Sequence, residues 1–133
     1  MKKLLAIIVL GLLFSGNVYA NNLIGKQLEC ENSSRFYAAP NYYIFRTSTE
    51  AESISIARSS LKVVDGTVYY TASAKAIDIY IDKARVLDLL TIDRESLKTS
   101  KGTKCKLVRF NIKEYLGKIS KQLLEKQLKK NKI

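Results

Sequence analysis

Few side chains in this sequence are equipped for chemistry. There is no histidine, so the commonest general base and the commonest neutral metal ligand are both missing. Four aspartates, Asp78, Asp82, Asp88 and Asp93, lie close together in the chain. Two carboxylates held at a fixed separation suffice for some hydrolyses, so a carboxylate-dependent hydrolase is one reading. Solvated strand faces and turns are the other, because Asp78 sits in an alternating segment and Asp82-Lys83 ends it. There is no G-x-S-x-G, no glycine-rich phosphate loop and no H-E-x-x-H. Oxygen ligands at calcium-loop spacing are missing as well. The sequence thus assigns no catalytic, cofactor-binding or metal-ligating residue.

Two residue classes point to binding instead. Eight tyrosines include the pairs Tyr42-Tyr43 and Tyr69-Tyr70. Neighbours on a strand point to opposite faces, so one of each pair is expected to be exposed, where it can stack on sugars or bases. Half-burial on a wet-sided sheet accounts for tyrosine there equally. Lysine is the second class. The segment from Lys113 to Lys132 carries seven lysines and two glutamates. A basic amphipathic helix of that kind can lie on an anionic membrane surface, or it can cover a sheet with its lysines in water. Lys126, Lys129, Lys130 and Lys132 are the candidate anionic contact, since they follow the last apolar residue of the helical stripe.

The chain opens with an export signal. Lys2 and Lys3 form a basic n-region, Leu4 to Phe14 is an apolar run of about eleven residues, and Val18-Tyr19-Ala20 puts small residues at a cleavage site. A membrane-spanning helix needs roughly 18 or more apolar residues. Residues 1–20 therefore read as a cleaved signal peptide, with the cut between Ala20 and Asn21, and not as a retained anchor. No cysteine stands at the cut, which argues against a lipoprotein. Taking Lys2 and Lys3 from the 23 basic residues leaves 21 against 12 acidic ones, a net charge of +9. That excess favours an anionic envelope surface or an acidic protein as partner. Nucleic acid is disfavoured by the compartment, and the chain is expected to be a monomer without a cofactor.

Export makes the cysteines informative. Only Cys30 and Cys105 are present, and an even count in a small exported chain favours a disulfide. Two buried free thiols are the alternative. The spacing excludes a C-x-x-C redox motif, and without histidine two cysteines make no ordinary zinc site. Closing so long a loop stabilises the fold by roughly 4 kcal/mol. The bridge requires Cα atoms roughly 4.4–6.8 Å apart, so segments 26–30 and 104–110 must be adjacent or face each other.

The elements that must position these residues follow from periodicity. Alternation marks strands at 26–30, 41–46, 76–81 and 104–110, with Ile77, Ile79 and Ile81 on one face and Cys105, Leu107 and Arg109 on one face. Residues 52–61 fit a strand by the alternation of Ile54 and Ile56, or a helix capped by Thr49. Asp65-Gly66 is a hairpin-turn signal between 61–64 and 67–71. Residues 86–92 fit a central strand or a helical turn capped by Asp82. A charged turn spans 93–96, Leu97 begins a short strand, and 100–103 is a tight loop. Asn111 and Glu114 form a capping box, and Ile112, Tyr115, Leu116, Ile119 and Leu123 make one helical stripe. The stripe fails beyond Leu124, so the end of the helix should be solvated.

Leu28-Glu29-Cys30, the I-D-R-x-S-L run from Ile92 to Leu97, and the late C-x-L at Cys105 to Leu107 resemble segments of small uncharacterised periplasmic proteins of marine proteobacteria. The resemblance implies a periplasmic compartment and a β-rich body bracketed by an early and a late cysteine. It carries no activity. Together these readings give an exported α+β protein with a single domain over 21–133. It has an antiparallel sheet of about five to seven strands, a C-terminal amphipathic helix over about 111–130, and a signal-peptide helix in front. The leading function is a non-catalytic binding or envelope-associated protein. A secreted inhibitor or effector that binds another protein, or the hydrolase, are the alternatives.

Overall fold

Period-two patterning sorts the apolar side chains of this chain onto two faces of one sheet. The computed structural model describes residues 18–32 and 34–130. They form β1 (Gln27–Cys30), β2 (Asn41–Phe45), β3 (Glu50–Ile56), β4 (Val63–Ala72), β5 (Ala76–Tyr80), β6 (Asp88–Asp93), β7 (Cys105–Val108) and the helix α1 (Ile112–Lys130). This is the α+β arrangement expected from sequence; the signal-peptide segment 1–17 lies outside the described residues. The strand order is β6-β5-β4-β3-β2-β1-β7, and every neighbouring pair is antiparallel.

The sheet curls until its edges nearly meet. Residues 97–100 bridge the gap as a short extra segment. Ile92 pairs with Thr99 and Lys98 with Lys104, and the Cys105 amide donates to the Leu97 carbonyl at 2.8 Å. The interior holds Leu28, Tyr43, Phe45, Val68, Tyr70, Ile77, Ile79, Leu90 and Ile92 with the two cysteines. A turn of helix over residues 18–21 and the following Leu23 close one end, where Ala20 and Leu23 are buried. The Tyr70 hydroxyl donates to the Thr47 carbonyl at 2.6 Å, with the Ala20 carbonyl at 3.2 Å.

Outside the curl, α1 packs on β2 and β3. Ile112 and Leu116 are buried against Tyr42, Ile44, Ile54 and Ile56, with Ile119 and Leu123 half-buried behind them. Full burial of each such side chain contributes about 1.5–3 kcal/mol. The Glu114 amide donates to Asn111 Oδ1 at 3.2 Å, the N-cap bond expected; the Glu114 carboxylate faces Lys118 at 3.7 Å. Beyond Leu124 every described helix residue is exposed, where the stripe fails. Ser120 is buried on the packed face, and its hydroxyl donates to the Leu61 carbonyl.

Several sequence expectations need correction. Asp65-Gly66 makes no turn. Both residues lie inside β4, opposite Ile54 and Ser53, and Gly66 does not have the positive φ that a tight hairpin turn of this type needs. Seven consecutive β3–β4 pairs outweigh the local turn preference, and the reversal falls at 57–62 instead, with Leu61 at φ 55°. The 52–61 segment is a strand only as far as Ile56, and no helix starts at Thr49. Val86 and Leu87 belong to an exposed loop before β6. Ile81 leaves the ladder and is 54% exposed, unlike Ile77 and Ile79. Leu107 is exposed although its alternation partner Cys105 is buried, because the bridging segment ends level with Cys105 and nothing covers the next turn of the pleat.

Candidate functional site

The disulfide fixes the frame on which the rest is built. Cys30 and Cys105 pair directly across β1 and β7 and are joined, with Cα atoms 4.0 Å apart. That lies just under the range expected from sequence. The Glu31 amide donates to the Lys104 carbonyl at 3.0 Å, so the cysteines occupy the adjacent non-hydrogen-bonded position, where antiparallel strands come closest. The expected adjacency of the first and last strands is found.

From that junction β7 runs on to α1, and the crossing leaves a cleft of about 840 Å³ against the start of β1 and the end of β2. Lys26, Arg46, Arg109 and Lys113 all line it, each from a different segment, and all four are exposed. Gln27 braces one wall, its Nε2 donating to the Phe110 carbonyl at 2.9 Å. Phe110 packs on Tyr115 with ring centres 4.8 Å apart.

The cations are not equivalent. Arg46 and Lys113 converge on Glu52 at 2.5 and 2.9 Å, and Lys113 also reaches Asp65 at 3.5 Å. Partial burial alone would raise the Glu52 carboxyl. Hydrogen bonds from Arg46 and Lys113 outweigh it and hold the group below the usual carboxylate range, while Glu52 raises Lys113 in turn. Lys26 and Arg109 have no carboxylate within salt-bridge distance among the described residues, so they carry the uncompensated charge of the cleft. The N-terminal turn of α1 opens beside them, and its free amides add to the positive potential there.

The residues singled out from sequence are distributed differently. Lys126, Lys129 and Lys130 stand exposed on the last turns of α1, well along the helix from the cleft; Lys132 lies outside the described residues. Of the expected cleavage pair, Ala20 is buried and Asn21 exposed. The four aspartates are not gathered. Asp78 accepts the Thr91 hydroxyl at 2.7 Å across β5 and β6, and Asp88 is exposed at the start of β6. Asp82 accepts the amides of Leu87 and Val86, an amide-capped loop where a helix was one alternative. Asp93 accepts those of Ser96 and Glu95 and so forms the expected turn. These amide bonds, to Leu87 and Ser96 first, hold both carboxyls below their ordinary values. A general acid needs the opposite shift.

The tyrosine expectation is corrected too. Tyr42 and Tyr43 are both buried, one beneath α1 and one in the interior, because β2 is covered on both faces. Burial pushes Tyr43 up to about 12 and raises Tyr42 and Tyr70 as well. Tyr70 is fully buried, and Tyr69 is half-buried. Neither pair offers a stacking platform. No group of three or more potential metal ligands occurs among the described residues, and no helix there is long and apolar enough to cross a membrane. No protein-family model matches the chain, and no curated protein or solved structure is significantly similar to it.

The cleft was missed in the sequence because its cations are far apart in the chain and each sits at a strand end, where charge is ordinary. The only local hint was Arg109 and Lys113 flanking the helix cap.

Proposed function

We propose that this is an exported, non-catalytic protein that associates with an anionic surface of the cell envelope. The observation supporting the reading is the division of α1. The helix packs through Leu124 and then runs on, wholly exposed, with Lys126, Lys129 and Lys130 in solvent. A segment that contributes nothing to the core yet keeps helical form and positive charge is suited to an external contact. Each lysine near an anionic leaflet contributes about 1 kcal/mol, fading within a Debye length. The disulfide is compatible with an oxidising, exported compartment, and Lys26 and Arg109 add charge at the other end of the helix.

The test is truncation after Leu124. The melting temperature should stay within about 2 °C, because no buried side chain is lost. Binding to vesicles of anionic phospholipid should weaken, and in the intact protein that binding should fall steeply with salt. Failure of the intact protein to bind such vesicles at low salt would refute the reading. Capture by an acidic protein without any vesicle binding would move the partner from lipid to protein.

A further inference from the structure

The end of the curled sheet opposite the 18–23 plug is open, and the reason is visible in the pairing. Inward positions one level below carry Ala51 opposite Val68, but at the next level Ser53 stands opposite Gly66. Gly66 needs no special backbone conformation here, and a Cβ placed on it would meet nothing within 4 Å. The two smallest side chains of the β3–β4 ladder thus meet where the interior would otherwise be filled. What remains is a recess of about 350 Å³ that includes Ser53, Gly66, Ile81 and Leu89 in its wall. A second recess of about 160 Å³ adjoins it, sharing Tyr37, Asn41 and Leu89.

The lining is graded. Val64 and Ile81, 38% and 54% exposed, form an apolar rim. Asn32, Asn41 and Tyr43 line the inner recess. There the Asn32 amide Nδ2 is buried and has no hydrogen-bond partner among the described residues, although its Oδ1 accepts the Ser34 amide at 2.9 Å. A buried donor left unpaired is costly, and it marks the place where an acceptor from outside would be bound most tightly.

We propose that this mouth is a binding site for a small neutral amphiphile, a medium-chain ketone or ester that enters carbonyl first and leaves its chain against Val64 and Ile81. The larger recess is of the size that small-molecule pockets occupy, roughly 300–1,000 Å³, and barrel mouths are a preferred place for them. The wall side chains named are uncharged, so a neutral ligand fits better than an ion, whose desolvation nothing there would offset. The site lies at the end of the sheet away from the basic cleft and does not depend on the tail contact proposed above.

The probe is 2-octanone, titrated into the 15N-labelled full chain, with octane as the control that lacks an acceptor. Saturable amide shifts confined to Asn32, Asn41, Ser53, Gly66 and Leu89 are expected, with octane binding at least about tenfold more weakly. Gly66→Val fills the recess with a residue that suits a strand. It should abolish the shifts while leaving the melting temperature unchanged or higher, and Ser53→Val is the second variant should Gly66→Val fold poorly. Asn32→Ala should weaken the ketone and leave octane unaffected. Absence of saturable shifts, or a filled variant binding with the original affinity, would overturn the site. Octane binding as tightly as the ketone would overturn the inward carbonyl.

Discussion

Breaking the Cys30–Cys105 bridge should cost this fold a large part of its stability. The bond spans 75 residues of chain. The loop-closure relation for a loop of that size gives about 4.5 kcal/mol of unfolded-state entropy at 25 °C. For a domain near 110 residues, 1 kcal/mol corresponds to about 4 °C, so removal should lower the melting temperature by about 15–20 °C. The perturbation to use is Cys30→Ala with Cys105→Ala, compared with the oxidised protein by urea and thermal unfolding. Because the constraint acts on the unfolded chain, the variant should also show a larger denaturant m-value, the unlinked chain exposing more surface. Reductant should lower the original protein to the level of the variant and leave the variant unchanged. A loss under about 1 kcal/mol, or an unchanged m-value, would refute this account and leave the bridge as a local contact within a ladder stable on its own.

Two further perturbations test the surroundings of α1. Glu52 has a folded carboxyl below its unfolded value of about 4.3, so its stabilisation is present above that value and lost as pH falls through the lower folded one. Glu52→Gln should cost about 1 kcal/mol at pH 7 and flatten the acid limb of the pH–stability curve below about pH 5. Ser120→Ala should cost about 1–2 kcal/mol, because the Leu61 carbonyl at the β3–β4 turn loses its donor; equilibrium unfolding measures it, and no change would mean that water replaces the hydroxyl.

What was legible in the sequence was whatever depends on neighbours in the chain. The Asn111 cap, the stripe from Ile112 to Leu123 and its failure beyond Leu124 are all helical spacing. The alternation of Ile77 and Ile79 is strand spacing. The cysteine pairing was legible for a different reason, since two cysteines in an exported chain have only one partner each. Gly66 misled because its local turn preference is smaller than the sum of the β3–β4 pairs that enclose it. The tyrosines misled because burial of Tyr42 depends on where α1 lands, and the stripe on a helix does not say which face of a sheet will receive it. The basic cleft and the open mouth were invisible for the same reason: both join residues that only the curl of the sheet brings together.

The register of β1 against β7 sets how the molecule responds to tension. Both ends of the chain leave the ladder at the Gln27–Val108 pair, and the disulfide lies at the opposite end of the same four pairs. A pull applied to the two ends, as when one is tethered and the other seized, first peels α1 and then opens the ladder pair by pair, as a zipper does, at low force. It stops at the sulfur–sulfur bond. The 75-residue span beyond, about 250 Å of extended chain, lies in a covalent loop that the force bypasses. The body of the protein, with its open mouth, would therefore stay folded under a load that strips its helix, and its reach would lengthen only by the segments outside the loop.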